Sequence, residues 1–365
     1  MKRALITGVT GQDGTYLARF LLSKGYRVWG MERRCSTRHR SNLVEERHPD
    51  YQTVYGDLSD LGSLIDVVRK AQPDEVYNLA AQSNVQTSWS QQSYTMDVTG
   101  AGAVRLMECC RRYSPSVRFY QASSSEMFGN VPFDVNRQAI NENHPMSPCN
   151  PYGAAKLYAH NMARMYRERG MFVACGILFN HESPLRSPEF VTRKITKGIA
   201  RIAYGLQRSL HLGNANGERD WGFAGDYVEA MWRMLNTQTP DDFVVATGNS
   251  YTVRHFAETA ASHFSDKMIT HVYYGDPKHE RPVELQALRG DATKIRNKLG
   301  WKPKTTFKEL VRMMVEHDCE EAKAEQTVQR MTSESWRREH QADTPPTEEG
   351  AADHHYTNQD PDLKG

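Results

Sequence analysis

Two short runs have the residue types to move protons. Tyr152 and Lys156 stand four residues apart in Tyr152-Gly153-Ala154-Ala155-Lys156, and three hydroxyls precede a carboxylate in Ser123-Ser124-Ser125-Glu126. On a helix, a spacing of four puts the phenol and the ammonium on one face. A phenol titrates near ~10 in water and is a poor base at neutral pH, and a neighbouring cation favours its anion and lowers that value. The serine run directly follows the strand-like stretch Val117–Ala122. Strand ends on that side of an open α/β sheet are where ligands bind. A hydroxyl and a carboxylate there can hold a substrate hydroxyl and exchange a proton with it. In isolation the first pair reads as an ordinary helix surface and the second as a helix cap. The N-terminal half of the chain changes that reading.

The strand Ala4–Thr7 runs into Gly8-Val9-Thr10-Gly11-Gln12-Asp13-Gly14, and a helix follows at once. Gly8 permits the sharp turn, Gly11 lets a pyrophosphate approach the helix N-terminus, and Gly14 lets the helix pack on the strand. The spacing G-x-x-G-x-x-G is wider at its start than the dinucleotide fingerprint. After the second strand stand Glu32, Arg33, Arg34 and Ser36, and two readings compete. The carboxylate would grip an adenosine ribose, and the arginines would accept a 2′-phosphate. The arginines continue into Arg38 and Arg40, which favours NADP. Asp57 and Leu58 follow the third strand, where a carboxylate suits the adenine amino group. Leu79-Ala80-Ala81-Gln82-Ser83 follows the fourth with small side chains. With a dinucleotide in place, Lys156 can also hydrogen-bond the nicotinamide ribose.

These residues need a parallel sheet to converge on one edge. Strands are expected at Ala4–Thr7, Arg27–Gly30, Thr53–Gly56, Glu75–Leu79, Val117–Ala122 and Val173–Phe179, alternating with helical patterns. The fold class is α/β, a Rossmann-type doubly wound parallel sheet. Residues 1–178 form the dinucleotide-binding part. Residues 179–330 form a smaller mixed α/β substrate-binding lid, with later segments crossing back over the sheet. From Met331 the composition turns polar and Pro-rich with almost no apolar anchor, so 331–365 reads as a disordered tail. The 365 residues carry 46 Lys plus Arg against 44 Asp plus Glu, which gives no support for a nucleic-acid partner. No apolar run is long enough for a membrane span, and the first strand leaves no room for a signal peptide. Six scattered cysteines without C-x-x-C spacing read as free thiols in a cytoplasmic protein, and no metal is expected.

Longer strings carry a resemblance: GVTGQDGTYL from Gly8, YNLAAQS from Tyr77, RFYQASSSE from Arg118, PYGAAKLY from Pro151, GILFNHESP from Gly176, FVTRKI from Phe190, RDWG from Arg219, RPVE from Arg281 and LGWKP from Leu299. Over about residues 1–325 the chain resembles the extended short-chain dehydrogenases/reductases, and within them the GDP-mannose 4,6-dehydratases. The resemblance implies NADP contacts at Gly8–Asp13, Asp57, Leu58, Leu79–Ser83, Tyr94, Lys156, His181 and Arg186. It implies catalysis by Ser124, Glu126 and Tyr152, and GDP-sugar contacts at Ser83, Asn180, Lys194, Arg219, Arg281 and Glu284. The reaction it implies is an internal redox dehydration. Tyr152 takes the C4 hydroxyl proton, the dinucleotide carries hydride from C4 to C6, and Glu126 with Ser124 removes the C5 proton and the C6 hydroxyl. A dehydratase for another GDP-sugar such as a manno-heptose, a same-fold GDP-sugar 4-reductase or epimerase, and a catalytically idle dinucleotide-binding subunit are the alternatives. Apolar residues on more than one face of the helices around Thr99–Arg112 (Ala103, Met107 and Cys110) and Tyr152–Arg169 (Met162, Met165 and Tyr166) suggest a homo-oligomer. The resemblance makes the contact a dimeric four-helix one, and a 33–42 loop reaching a neighbour's cofactor would make a tetramer. The chain departs from the family pattern in three places: Ser124 stands where Thr is usual, the stretch 272–281 is short, and the tail after Met331 has no counterpart.

Overall fold

β1 (Arg3–Thr7) is buried along its length except at Arg3, and its side chains alternate between two apolar layers. Ala4 and Ile6 enter one core and Leu5 the other, the period-two pattern of a strand covered on both faces. The computed structural model describes residues 1–34, 48–130, 139–279, 283 and 287–341. Beside β1 lie β2 (Arg27–Glu32) and β4 (Glu75–Asn78), with β3 (Tyr51–Tyr55) outside β2 and β5 (Arg118–Ser124) and β6 (Phe172–Leu178) beyond β4. The strand Asp242–Val245 completes a seven-stranded sheet by pairing with β6, Asp242 opposite Cys175. Every pairing in it is parallel. The expected strands are all present, each displaced at its ends by a residue or two.

Helices cover both faces. α1 (Gln12–Ser23) presents Leu17 and Leu21 to Ala4, Ile6 and Tyr120. α2 (Leu61–Ala71) is capped by Asp60, whose carboxylate accepts from the Gly62 and Ser63 amides, and packs Leu64, Val67 and Val68 on the other face. After β4 come two short helices, α3 (Val85–Ser90) and α4 (Gln92–Thr95), then a π-helical turn, Met96–Ala101, continuous with α5 (Gly102–Tyr113). α6 (Pro151–Glu168) begins with proline at its first position, where a missing N–H costs nothing, and Asn150 as its cap.

α7 (Val191–Ala203), α9 (Val253–Ala261) and the first turns of α11 (Phe307–Gln341) bury Ile195, Ile199, Trp221, Phe256, Leu310 and Met314 together. α8 (Ala224–Leu235) instead returns to the sheet beside α1, and α10 (Thr293–Leu299) adds Ile295 to that core. Because the strand Asp242–Val245 and α8 both go back, Met1–Ala322 is one compact unit, and a boundary at 178 falls inside it. Lys323–Gly365 is the second unit. Within it the final helix continues to Gln341, so residues 331–341, expected to be disordered, are helical. Their Glu, Arg and Gln content favours helix without an apolar anchor. Residues 342–365 lie outside the described residues. No helix among the described residues is long and apolar enough to cross a membrane.

The turn from β1 to α1 is the tightest point. Gly8 has φ +67°, and a Cβ on Gly14 would stand 2.4 Å from the Gly8 carbonyl oxygen. Gly14→Ala should therefore cost about 1–3 kcal/mol, the usual penalty of overpacking, read as a lower urea midpoint with an unchanged slope.

Candidate active site

The C-terminal ends of the strands open into a cavity of about 630 Å³. At one end α1 starts with Gly11, which offers no side-chain cap, so its first N–H groups are left for an anion. The turn closes by the Gly11 amide donating to the Gly8 carbonyl at 3.0 Å. The Thr7 hydroxyl accepts from the Leu79 and Ala80 amides at 3.0 and 3.1 Å, tying the β1 and β4 ends into one wall. Gly8, Thr10, Gly11, Gln12, Asp13, Gly14, Glu32, Arg33, Asp57, Leu58, Leu79, Ala80, Ala81, Ser83 and Tyr94 all line the cavity. Val9 does not, being packed into the core behind Gly30. Gln82 spends its amide on the Asn84 carbonyl and the Thr95 hydroxyl. Arg34 is outside the lining too, while Arg33 donates to the Tyr94 hydroxyl at 2.9 Å. Ser36 lies outside the described residues. Asp57 accepts from the Ser59 amide and hydroxyl at 2.9 and 2.7 Å.

Ser124, Glu126, Tyr152 and Lys156 share the middle of the cavity. The Tyr152 hydroxyl is in hydrogen-bond contact with the Ser124 hydroxyl. Ser124 also accepts from the Glu126 amide at 3.2 Å, so two contacts hold the rotamer that a threonine methyl would otherwise restrict. The Lys156 ammonium donates to the Ala122 carbonyl at 2.8 Å, and burial brings it down to about 8 against the opposing pull of Asp13. Lys156 by itself is not among the groups that lower the phenol. Burial pushes Tyr152 up to about 12, reinforced by the Glu126 charge and only partly offset by Ser124. The ammonium sits 5.8 Å from the ring centroid and is turned to a carbonyl. A further positive charge at the phenol is needed to make it a base.

His181 and Asp13 join the two ends of the cavity. His181 Nε2 lies 2.7 Å from an Asp13 carboxylate oxygen and Nδ1 lies 2.8 Å from the Phe179 carbonyl, so both ring nitrogens face acceptors. Burial pulls the ring down, but Asp13 and that carbonyl outweigh it and hold His181 above its ordinary 6.5. Asp13 answers in kind: burial pushes it up, and the imidazolium, helped by the Gln12 amide, leaves it below its ordinary 3.8. Arg186 pairs with Glu182 at 3.0 Å and stacks on Phe190.

The far end is cationic. Asn180, Lys194 and Arg219 line it; Arg281 and Glu284 lie outside the described residues. Behind Arg219 the buried Asp220 accepts from the Thr247 amide and hydroxyl and from the Gly248 and Gly290 amides, and burial nevertheless raises it to about 6. Sequence reasoning missed Lys278 and Trp221, both in the lining. It also missed Asn150, which donates to the Glu126 carboxylate at 2.7 Å while its oxygen caps α6 through the Gly153 amide. The signal was there: asparagine before a helix-starting proline is a cap, and a cap at this helix lies against the β5 end. Among the described residues, His160, Cys175 and Asp242 place ligand atoms within 4.8 Å of one another. The Arg167 guanidinium already contacts both the thiol and the carboxylate, a poor setting for a second cation.

A parallel sheet with a glycine turn under a helix N-terminus, and a Tyr–Lys pair on the helix beside β5, define the extended short-chain dehydrogenase/reductase class. The chain belongs to the GDP-mannose 4,6-dehydratase family, whose model matches residues 5–314. It is 47% identical to GDP-mannose 4,6 dehydratase 1 of Arabidopsis thaliana over 90% of this chain and 92% of that one. To the human GDP-mannose 4,6 dehydratase it is 44% identical over 87% and 91%. In fold it is similar to a dTDP-glucose 4,6-dehydratase from Bacillus anthracis in complex with NAD, with a TM-score of 0.75 at 21% identity over 87% of this chain and 96% of that one. A Thermus thermophilus UDP-glucose 4-epimerase complexed with NAD gives a TM-score of 0.76 at 24% identity over 87% and 98%.

The Asp13–His181 pair is strongest in a window of pH. His181 stabilises the fold fully below its unfolded value and loses this as pH rises through its raised folded one, whereas Asp13 loses its contribution as pH falls through its depressed one. In Asp13→Asn protein, with burial opposed only by the Phe179 carbonyl, the His181 ring should titrate lower than in the unmodified protein. Nuclear magnetic resonance of the ring protons reads this, and an unchanged titration rejects the pairing.

Proposed function

We propose that the protein converts GDP-mannose to GDP-4-keto-6-deoxymannose with loss of water, as a nucleotide-sugar 4,6-dehydratase using NADP. Family membership supports the reaction. The observation that carries it is that Glu126 lines the same cavity as Tyr152 and Ser124. A GDP-sugar 4-reductase or epimerase, the second reading, needs Tyr152 and Lys156 but no carboxylate to take a proton from C5.

The cradle suits a pyridine dinucleotide: the α1 N-terminus is uncapped, and small residues 80 and 81 leave the opposite wall open. Both fold neighbours are NAD complexes. When bound, such a group accepts and returns a hydride and brings a positive ring beside the phenol. Tyr152 then takes the proton of the sugar C4 hydroxyl, with Ser124 sharing the hydrogen bond. Lys156, held to the Ala122 carbonyl, orients the ribose. A ketone at C4 acidifies the C5 proton, which the Glu126 carboxylate removes. Glu126, now protonated, gives that proton with help from Ser124 to the C6 hydroxyl, which departs as water; Glu126 is reprotonated from solvent and returns this second proton to C5. Lys194, Arg219, Lys278 and Asn180, with Arg281 and Glu284, hold the GDP moiety by charge and forked donors.

Exposed apolar side chains on one side of the molecule, Met96, Tyr158 and Met165 at 43, 39 and 53% exposure, support a homo-oligomer built through α6. Ala103, Met107 and Cys110 are instead buried in the core under α5. Five of the cysteines are described and free, which suits a cytoplasmic setting.

Three outcomes are expected. Substrate deuterated at C4 yields product labelled in its C6 methyl group, whereas Glu126→Gln protein oxidises C4, accumulates bound reduced dinucleotide and makes little product. Label retained at C4, or released in free cofactor, makes the protein an epimerase or reductase. By calorimetry NADP binds more tightly than NAD, and Arg33→Ala, which faces the cavity, narrows the gap more than Arg34→Ala; equal affinities in the unmodified protein reject the 2′-phosphate reading. Sedimentation at micromolar concentration shows a dimer or tetramer, and a monomer alone refutes the interface.

A further inference from the structure

Tyr152, Lys156 and His160 form one row along α6, each four residues from the next, and they meet three consecutive residues of β5. Tyr152 touches the Ser124 hydroxyl, Lys156 donates to the Ala122 carbonyl at 2.8 Å, and His160 Nδ1 lies 2.9 Å from the Ser123 hydroxyl. The first two belong to the reaction already described. The third does not line the cavity. His160 is 1% exposed and Ser123 3%; Ser123 borders the cavity wall, while His160 lies behind it. A buried imidazole facing a buried hydroxyl is costly unless paired, and an apolar side chain could fill the space.

The pair is braced from behind. His160 Nε2 points toward Asp242 at 3.7 Å, which favours the proton on that nitrogen and leaves Nδ1 to accept from Ser123. Asp242 is itself held by Arg167 on α6 and by Arg164, 3.7 Å away. Ser123 also touches the Cys175 thiol on β6. Since Tyr152 and Lys156 ride on the helix while Ser124 and Glu126 ride on the end of the strand, whatever fixes Ser123 to α6 fixes one half of the catalytic set against the other.

Resting on the proposed dehydratase reading, we propose that His160 is a positioning residue for the elimination step: through Ser123 it keeps the β5 end, with Ser124 and Glu126, in register with Tyr152 and Lys156. Loosening this rung should slow the loss of water, which needs Glu126 and Ser124 together, more than it slows C4 oxidation, where Tyr152 is the base.

The test compares His160→Leu, Ser123→Ala, the double variant and His160→Asn, whose carboxamide oxygen can replace Nδ1 as acceptor. With GDP-mannose, kcat for product should fall about 10-fold or more in the first two, within the range that sub-ångström to ångström misplacement produces, and KM should stay unchanged. Reduced dinucleotide should build up on these variants during turnover and not on the unmodified protein. The double variant should be no worse than either single, since both remove one interaction, and His160→Asn should restore most of kcat and abolish the build-up. A purely structural role predicts a lower melting temperature without that build-up, and that result, or a failure of His160→Asn to restore, overturns the proposal. Should His160→Leu not fold, Ser123→Ala and His160→Asn decide alone. An unmodified protein that makes no product from GDP-mannose overturns the proposed function instead; an active one whose variants show no build-up overturns only the role of His160.

Discussion

Helix α6 can lie close enough to β5 for its side chains to act on the strand end because its inner face is nearly bare. Gly153, Ala155, Ala159 and Ala163 are buried, and a Cβ at Gly153 would stand 2.5 Å from the Glu126 carbonyl oxygen. Small residues on a contact face let backbones approach, and close approach lets short polar contacts replace bulky apolar ones. The 2.8 Å contact from Lys156 to Ala122, the Tyr152–Ser124 contact and the Asn150 bond to Glu126 all follow from this seam. Any larger side chain at these four positions would push the phenol away from the carboxylate it must work beside.

Charge is arranged with the same economy. Asp13 comes from the first turn of α1 and His181 from just after β6, so the two ends of the cavity are joined by one half-buried ion pair. The His181 ring stacks on Tyr227 of α8 at 4.7 Å, anchoring the pair to the core. A negative side chain near a helix N-terminus is stabilised by the helix dipole, and here Asp13 is neutralised by His181 as well, which leaves the N–H groups of the turn to an incoming phosphate. The same logic recurs at Asp220, whose carboxylate gathers the 247–248 and 290 segments behind Arg219.

The two carboxylates nearest the chemistry are therefore treated differently. Asp13 is matched with a cation and serves architecture. Glu126 receives one amide from Asn150 among its contacts and faces the cavity. A carboxylate steadied by a neutral donor keeps its orientation without being locked into a salt bridge, which suits the proton transfer proposed for it.

Much of the fold was legible because its signals are local. Apolar runs bounded by glycine, helical periodicity and a glycine turn between the first strand and first helix determined a parallel sheet; spacing put Tyr152 and Lys156 on one helix face, and the family resemblance picked Ser124 out of its serine run beside Glu126. What the sequence could not decide was how burial competes with charge. The spacing of Tyr152 and Lys156 said that they share a face, but only the packed structure shows the ammonium turned to the Ala122 carbonyl and the phenol pushed up by desolvation. Asp13 and His181 lie 168 residues apart, and Ser123, His160 and Asp242 are likewise brought together from separate segments. Such partnerships depend on which elements end at the same edge and on how closely they approach, and these are properties of the tertiary structure, because desolvation and hydrogen-bond geometry exist only once the chain has closed around them.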